Sequence, residues 1–306
     1  MHRTAYLLLL LTTLFWGGNA IAGKLAVGHV SPFLLTSFRW GIAALILAVI
    51  GHRQLRRDWA VARKHLPFLF ILGTAGFALF NATMYSALQY TSAINVSIEQ
   101  AGMPMFIFLA NFLLFRLGVT WIQILGFVLT LVGVVLTASN GDLAGLAELQ
   151  VNFGDALMIL AIVLYGGYTV ALRFKPALHW KSLVLILATS AFVSSLPFTV
   201  WEFERGAMIL PDLRGWLIVL YTGIFPSILS QSLYIRGNEL IGANRASLFI
   251  NTVPIFGTIL SVLILGEIFH LHHAIALVLV LSGIWMAEHS GRKAQARADN
   301  DAPRPT

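Results

Sequence analysis

Long apolar runs alternate with short polar breaks along nearly the whole chain. The runs fall at roughly 5–23, 32–50, 66–86, 93–115, 119–138, 153–174, 182–201, 214–235, 243–266 and 271–289. Each is about the 20 residues that an α-helix needs to cross a hydrocarbon core roughly 30 Å thick. A soluble core gives shorter segments with one apolar face. Backbone groups in hydrocarbon have no water to bond, so each run is expected to be a helix. The pattern therefore predicts an all-α integral membrane protein with about ten transmembrane helices. From residue 291 the sequence turns to Lys, Arg, Asp and Pro, and a disordered cytoplasmic tail is expected over 291–306. His2, Arg3, Leu7 to Leu11 and Ala20-Ile21-Ala22 imitate a secretory signal with a small-residue cleavage site. Cleavage is not expected, because that segment has a copy inside the chain.

Composition sharpens this reading. Of 306 residues 58% are hydrophobic and only 11% charged, against about 25% charged in a soluble domain. Cysteine is absent, which removes disulfides, thiolate nucleophiles and cysteine-ligated metals together. A net charge of +7 and a pI near 10.0 would suit a nucleic-acid binder. The basic residues instead sit in the short breaks, so no nucleic acid is expected. With the N-terminus inside, sixteen Lys and Arg lie on the inner side and only Lys24, Arg205 and Arg214 on the outer, Arg39 falling within a span. Under the positive-inside rule this bias puts both termini in the cytoplasm of a plasma (bacterial inner) membrane.

The chain also matches itself. At a shift of 150, Ala93-Ile94-Asn95-Val96-Ser97 meets Ala243-Asn244-Arg245-Ala246-Ser247, Pro104 meets Pro254, Asn81 meets Gln231 and Gly133 meets Gly283. At a shift of 149, Trp16-Gly17-Gly18 meets Tyr165-Gly166-Gly167 and Lys24 meets Arg173. The near-constant offset is the signal of a repeat. Two five-helix repeats are expected, over 1–140 and 150–290. Five passes is an odd number, so the second copy enters the bilayer from the opposite side. Inverted repeats of this kind are typical of secondary transporters.

Phe15-Trp16-Gly17-Gly18-Asn19, Phe38-Arg39-Trp40 in the second span, and Pro104 and Pro254 in spans four and nine together resemble the EamA family of the drug/metabolite transporter superfamily. The similarity covers roughly residues 5–290. It implies ten helices in an inverted five-plus-five fold with both termini inside. It also implies a carrier that exports amino acids or related metabolites, although other members of the superfamily import.

Arg39 and Glu99 lie within spans two and four at similar depth, about 10 Å from the outer ends. A lone charge there costs several kcal/mol, so the two are expected to pair along the pathway, where they would gate it, bind a zwitterion or move a proton as coupling ion. The bland alternatives are a structural ion pair, or Arg39 snorkelling to headgroups. Asn19, Asn81, Gln100, Asn111, Gln231 and Asn251 are buried-amide candidates for polar ligands, with interhelical hydrogen bonding as the alternative. Trp16, Tyr85, Tyr165, Tyr168 and Tyr234 are candidate cavity walls. Pro104 and Pro254 are expected to kink their spans. Gly17, Gly18, Gly166 and Gly167 are expected to allow close helix packing. His270, His272 and His273 cluster near the last span without a supporting ligand pattern, so no metal and no cofactor are expected.

No Walker-type loop is present. A membrane enzyme would need a nucleophile, a metal cluster or paired carboxylates, and no His-Glu-x-x-His occurs. A channel would need a polar-lined pore. A carrier of a small polar or amphipathic molecule is the leading expectation. Oligomeric state is not legible in the sequence.

Overall fold

The computed structural model describes residues 2–116, 120–141 and 152–301. Every element among them is helical. The first half holds α1 (His2–Ala26), α2 (Pro32–Ala62), α3 (Leu66–Gly73), α4 (Phe80–Ala87), α5 (Ala93–Gln100), α6 (Met103–Phe115) and α7 (Trp121–Ala138). The second half holds α8 (Phe153–Ala171), α9 (Trp180–Glu204), α10 (Leu213–Ile224), α11 (Ser230–Ile241), α12 (Ala243–Ile250), α13 (Val253–Leu260) and α14 (Leu271–Asp301). The expected boundary between the halves, at 141–149, falls beyond residue 141 outside the described residues.

Eight helical stretches among the described residues are long and apolar enough to cross a membrane, and Leu271–Ala287 is a shorter apolar one. One of the eight, Pro32–Ala87, runs for 56 residues. It is not a single crossing. Trp40 stacks on Phe77 with ring centroids 4.4 Å apart, so the chain turns back on itself near the 3-10 segment Arg63–His65.

Spans four and nine are interrupted at corresponding places. α5 stops at Gln100 and α6 starts at Met103, while α12 stops at Ile250 and α13 starts at Val253. Pro104 and Pro254 are each the second residue of the new helix, where a missing N–H costs nothing because the first donors of a helix are unpaired anyway. The expected kinks are therefore two half-helices joined by a tight turn.

Two π-helical segments, Thr74–Leu79 and Phe225–Leu229, are also repeat-related, at a shift of 150. Such widened turns concentrate at functional sites. The apolar pattern does not announce them, because a π turn keeps the hydrophobicity of the helix around it.

α14 continues to Asp301, and 302–306 lies outside the described residues. A helix already nucleated extends at little cost through Ala, Arg, Lys and Gln.

Two carboxylates act as caps on the face that carries few basic residues, here called the sparse face. Glu202 accepts hydrogen bonds from Ser31 Oγ at 2.6 Å and the Leu34 N–H at 3.2 Å at the start of α2. Glu267 accepts from the Ala93 and Ile94 N–H groups at 2.8 and 2.9 Å at the start of α5. Helix N-termini favour anions at such positions. Glu202→Ala is expected to destabilise the protein by about 2 kcal/mol, the worth of a hydrogen bond to a charged group. Thermal unfolding in detergent checks this, and an unchanged melting temperature would show the cap to be idle.

Candidate functional site

Arg39 is buried at 4% exposure, with no carboxylate partner among the described residues. Its Nη1 donates to Asn19 Oδ1 at 2.8 Å, to Asn81 Oδ1 at 2.7 Å and to the Tyr85 hydroxyl, and its Nε donates to Ser227 Oγ at 2.7 Å. The guanidinium also lies 5.0 Å from the Trp40 ring centre. The cradle is itself fixed. Tyr85 donates to Asn19 Oδ1 at 2.9 Å, Asn81 Nδ2 donates to the Phe77 carbonyl at 2.7 Å, and Ser227 donates to the Thr222 carbonyl at 2.8 Å. No hydrogen bond from the protein engages Nη2 among the described residues.

The two repeat-related π segments serve this cradle; a third, Ser261–Leu265, does not. Asn81 lies just beyond the first, and Ser227 lies inside the second. A single cation thus ties α1, α2 and α4 of the first half to the second half. Ser227 was not legible as a site residue, since a serine in an apolar span reads as helix packing.

The expected Arg39–Glu99 ion pair is not formed. The ion pairs among the described residues are His29–Asp212 and Arg236–Glu239. Arg39 is satisfied by neutral oxygens, and Glu99 faces elsewhere. Glu99 is wholly buried, and neither of its carboxylate oxygens has a hydrogen-bond partner. Asp155 is also wholly buried with neither oxygen hydrogen-bonded, although Thr91 and Asn95 stand beside it. Asp155 is close enough to Glu99 for the two to interact electrostatically. The sequence concealed Asp155 because an Asp in the first turn of a helix reads as an end-of-helix charge.

Aromatic rings line one side of the Arg39 cluster as a continuous chain. Trp40 stacks on Phe77, Phe77 meets Tyr168 at 5.6 Å, Tyr168 meets Tyr165 at 5.4 Å, and Tyr165 meets Phe80 at 4.8 Å. Tyr85 belongs to the cradle. Trp16 donates to the Pro226 carbonyl at 3.2 Å and packs on Tyr234. Gln100, Asn111, Gln231 and Asn251 are partly exposed, with no side-chain hydrogen bond among the described residues. They do not join the Arg39 cluster.

The glycines separate by role. A Cβ at Gly17 would stand 2.8 Å from Gly257 N and 3.0 Å from the Val253 carbonyl, so Gly17 sets the approach of α1 to α13. Gly18 faces the Tyr221 hydroxyl and Gly166 the Phe106 ring, whereas Gly167 meets nothing within 4 Å. An apolar cavity of about 450 Å³ lies between α1, α10 and α13, with Arg214 as its only charged lining residue. None of the cradle residues lines it, although its Tyr221 lies near enough to Tyr85 and Arg39 to interact with them electrostatically.

The two faces of the molecule are not equally closed. On the sparse face, Lys24 Nζ donates to the Leu88 and Thr91 carbonyls at 2.9 and 2.7 Å, and Asn152 Nδ2 donates to the Tyr90 carbonyl at 3.1 Å. Residues 93–99 are all buried. On the opposite, basic face the repeat partner of Lys24, Arg173, lies over the Phe115 ring at 3.9 Å instead. In the repeat partner of 93–99, Ala246 is buried, Arg245 and Leu248 are exposed and Phe249 is half-buried. The structure is closed toward the sparse face and looser toward the basic face.

Comparison with known proteins fits this architecture. The chain is 25% identical over 283 residues to the Bacillus subtilis protein named uncharacterized transporter YetK, covering 92% of this chain and 86% of that one. It is 26% identical to the transporter YyaM of the same organism over 94% of both chains. It is 25% identical to the Salmonella typhimurium inner membrane transporter YicL over 97% of this chain and 98% of the relative. A solved crystal structure superposes with a TM-score of 0.63 at 21% identity, covering 95% of this chain and 99% of the other, a likeness of fold. The EamA-like transporter family matches twice, over residues 3–139 and 152–287, one match for each half of the internal repeat. The chain is therefore a multi-pass membrane transporter, not an enzyme, and belongs to the EamA-like transporter family.

Proposed function

We propose that this protein is a secondary carrier of the plasma membrane that exports amino acids or related carboxylate-bearing metabolites by alternating access. The single observation that carries the reading is the Arg39 cradle. A buried guanidinium is held by Asn19, Asn81, Tyr85 and Ser227 from both halves, with Nη2 left for an incoming anionic group. Arginine recognises carboxylates through its planar fork of donors, and the neighbouring aromatic chain offers apolar contact to the rest of a small amphipathic molecule. Because the cradle spans both halves, a ligand that bonds Nη2 touches the element that must rearrange when the halves rock.

In this reading the chain crosses the bilayer ten times, with Pro32–Ala87 supplying two crossings and both termini in the cytoplasm. The basic face is cytoplasmic, so the structure represents the inward-facing state. Lys24 clasps the outer side shut, and Arg173 makes the corresponding clasp on the inner side in the outward-facing state.

An untargeted comparison of metabolites inside and outside cells that overexpress the wild type, Arg39→Gln or an empty vector tests the reading. One carboxylate-bearing compound is expected to accumulate outside with the wild type alone. Accumulation inside cells would overturn export, and accumulation with both proteins would overturn the role of Arg39. The clasp has its own test. Since the chain lacks cysteine, a thiol placed at buried Val96 reports outer opening to a membrane-impermeant maleimide. Lys24→Met is expected to raise that labelling roughly tenfold, the equivalent of one lost charge-assisted hydrogen bond. Equal labelling with and without Lys24 would remove it from the closure.

A further inference from the structure

The outer closure contains buried oxygens short of donors: among the described residues neither oxygen of Glu99 nor Oδ1 of Asn95 has a hydrogen-bond partner, and the two of Asp155 have only the Thr91 and Asn95 side chains beside them, outside good hydrogen-bond geometry. Thr91, Asn95 and Glu99 succeed one another at four-residue spacing, so they share one side of the chain leading into and along α5. Asp155, from the first turn of α8, stands against Thr91 and Asn95. The amide donor of Asn95 is already spent on Thr91 Oγ1 and Asn140 Oδ1, each at 3.3 Å. The other buried or half-buried carboxylates of this face, Glu202 and Glu267, are both held by backbone N–H groups. Glu99 and Asp155 have no such provision.

The charged and titratable groups on the surrounding elements do not supply a counter-charge. Lys24 of α1 is committed to the Leu88 and Thr91 carbonyls. Glu267 is committed to the start of α5. α4 brings Tyr85 and α8 brings Tyr165 and Tyr168, while α14 and the loop before it bring His270, His272 and His273. α7 and α13 bring no ionisable side chain. Two ionised carboxylates enclosed together, one with no donor and the other with only the Thr91 and Asn95 side chains beside it, would carry a desolvation penalty of several kcal/mol each. Proton uptake from solution removes that penalty. It also creates the missing donors, since a protonated carboxyl can donate to a neighbouring acceptor such as Asn95 Oδ1.

The repeat partners of this pair make the contrast plain. At shifts of 150 and 149, Glu99 corresponds to Phe249 and Asp155 to Tyr6. Those two rings lie 5.5 Å apart on the inner side. The inner side thus carries two aromatic rings at the positions where the outer side carries two acids.

We propose that Glu99 and Asp155 form a proton-binding site that ties outer closure to external pH. This rests on the alternating-access reading above. In the outward-open state the carboxylates are hydrated and ionised. Closing the outer side takes up protons from the external solution, each carboxylate becoming a carboxylic acid, and reopening returns them. Low external pH therefore favours the inward-facing state. The open-to-closed ratio changes by up to about tenfold per pH unit for each proton taken up.

Maleimide labelling of Val96→Cys from outside, in right-side-out vesicles between about pH 6 and 9, tests this. A thiol at exposed Arg205→Cys corrects for the pH dependence of the reagent. The corrected labelling of Val96→Cys is expected to rise at least about tenfold with pH. It is expected to stay low and flat when Glu99→Gln and Asp155→Asn are combined. Each single substitution, checked for monodispersity in detergent, should remove part of the slope. An identical pH profile with and without the carboxylates overturns the proposal while leaving alternating access standing. Fast labelling at every pH in all variants overturns outer closure itself, and the proposal with it.

Discussion

Arg39→Ala is expected to abolish transport, lowering it by at least about 100-fold, because each hydrogen bond from a charged donor that is lost from a buried site costs about 1.5–3 kcal/mol. Four acceptors converge on this guanidinium. Removing it deprives the cradle of the donor that its oxygens were placed to meet, and removes the free Nη2. Arg39→Lys separates charge from geometry. A lysine ammonium keeps the positive charge but cannot reproduce the planar fork that reaches Ser227 through Nε and Asn19 and Asn81 through Nη1. Transport by Arg39→Lys should fall roughly tenfold while the protein remains folded. The check is efflux of the metabolite identified with the wild type, normalised to the amount of protein in the membrane. Wild-type efflux by Arg39→Ala at normal abundance would show that the cradle is structural only.

The second large effect falls on one glycine of a matched set. Gly17→Val is expected to destabilise the protein by about 1–3 kcal/mol or more, and Gly167→Val to be nearly silent. At Gly17 the new carbon meets backbone atoms of α13, Gly257 N at 2.8 Å and the Val253 carbonyl at 3.0 Å. Backbone cannot step aside as a flexible side chain can, so α1 and α13 must separate. At Gly167 nothing lies within 4 Å. Thermal unfolding of the two variants in detergent decides the matter, and equal melting temperatures would contradict the packing described for α1 and α13.

Much of the architecture was legible because the bilayer leaves the sequence few choices. The apolar runs, the offset repeat and the paired prolines led to the helices, the two halves and the interruptions in spans four and nine. The site was legible in its members more than in its pairing. Asn19, Arg39, Asn81 and Tyr85 stood out as polar groups in apolar spans, and they meet. Arg39 and Glu99 stood out equally, yet they do not meet. Depth along a helix can be counted from sequence, whereas the face on which a side chain emerges depends on packing angles and on turns that depart from the α-helix. The π segment at Thr74–Leu79 rotates the helical turn beyond it, which carries Asn81, and the one at Phe225–Leu229 holds Ser227 in its own widened turn, and both side chains reach Arg39. Asp155 was hidden by its position at the end of a helix, where a charge normally reaches water. The composition of the tail predicts disorder, but it says nothing of a helix continued from α14.

The central claim is that one site is reached from alternate sides by two halves of inverted orientation. The most direct measurement compares labelling of Val96→Cys from outside with labelling of Arg245→Cys from the cytoplasmic side. Val96 is wholly buried and Arg245 exposed in this structure, and Arg245 is the repeat partner of Asn95, which is buried at 2%. Under conditions that favour the inward-facing state, Arg245→Cys should label rapidly and Val96→Cys slowly. Lys24→Met should shift the two rates in opposite directions. Rates that rise and fall together, or two thiols that label rapidly at once, would contradict alternating access.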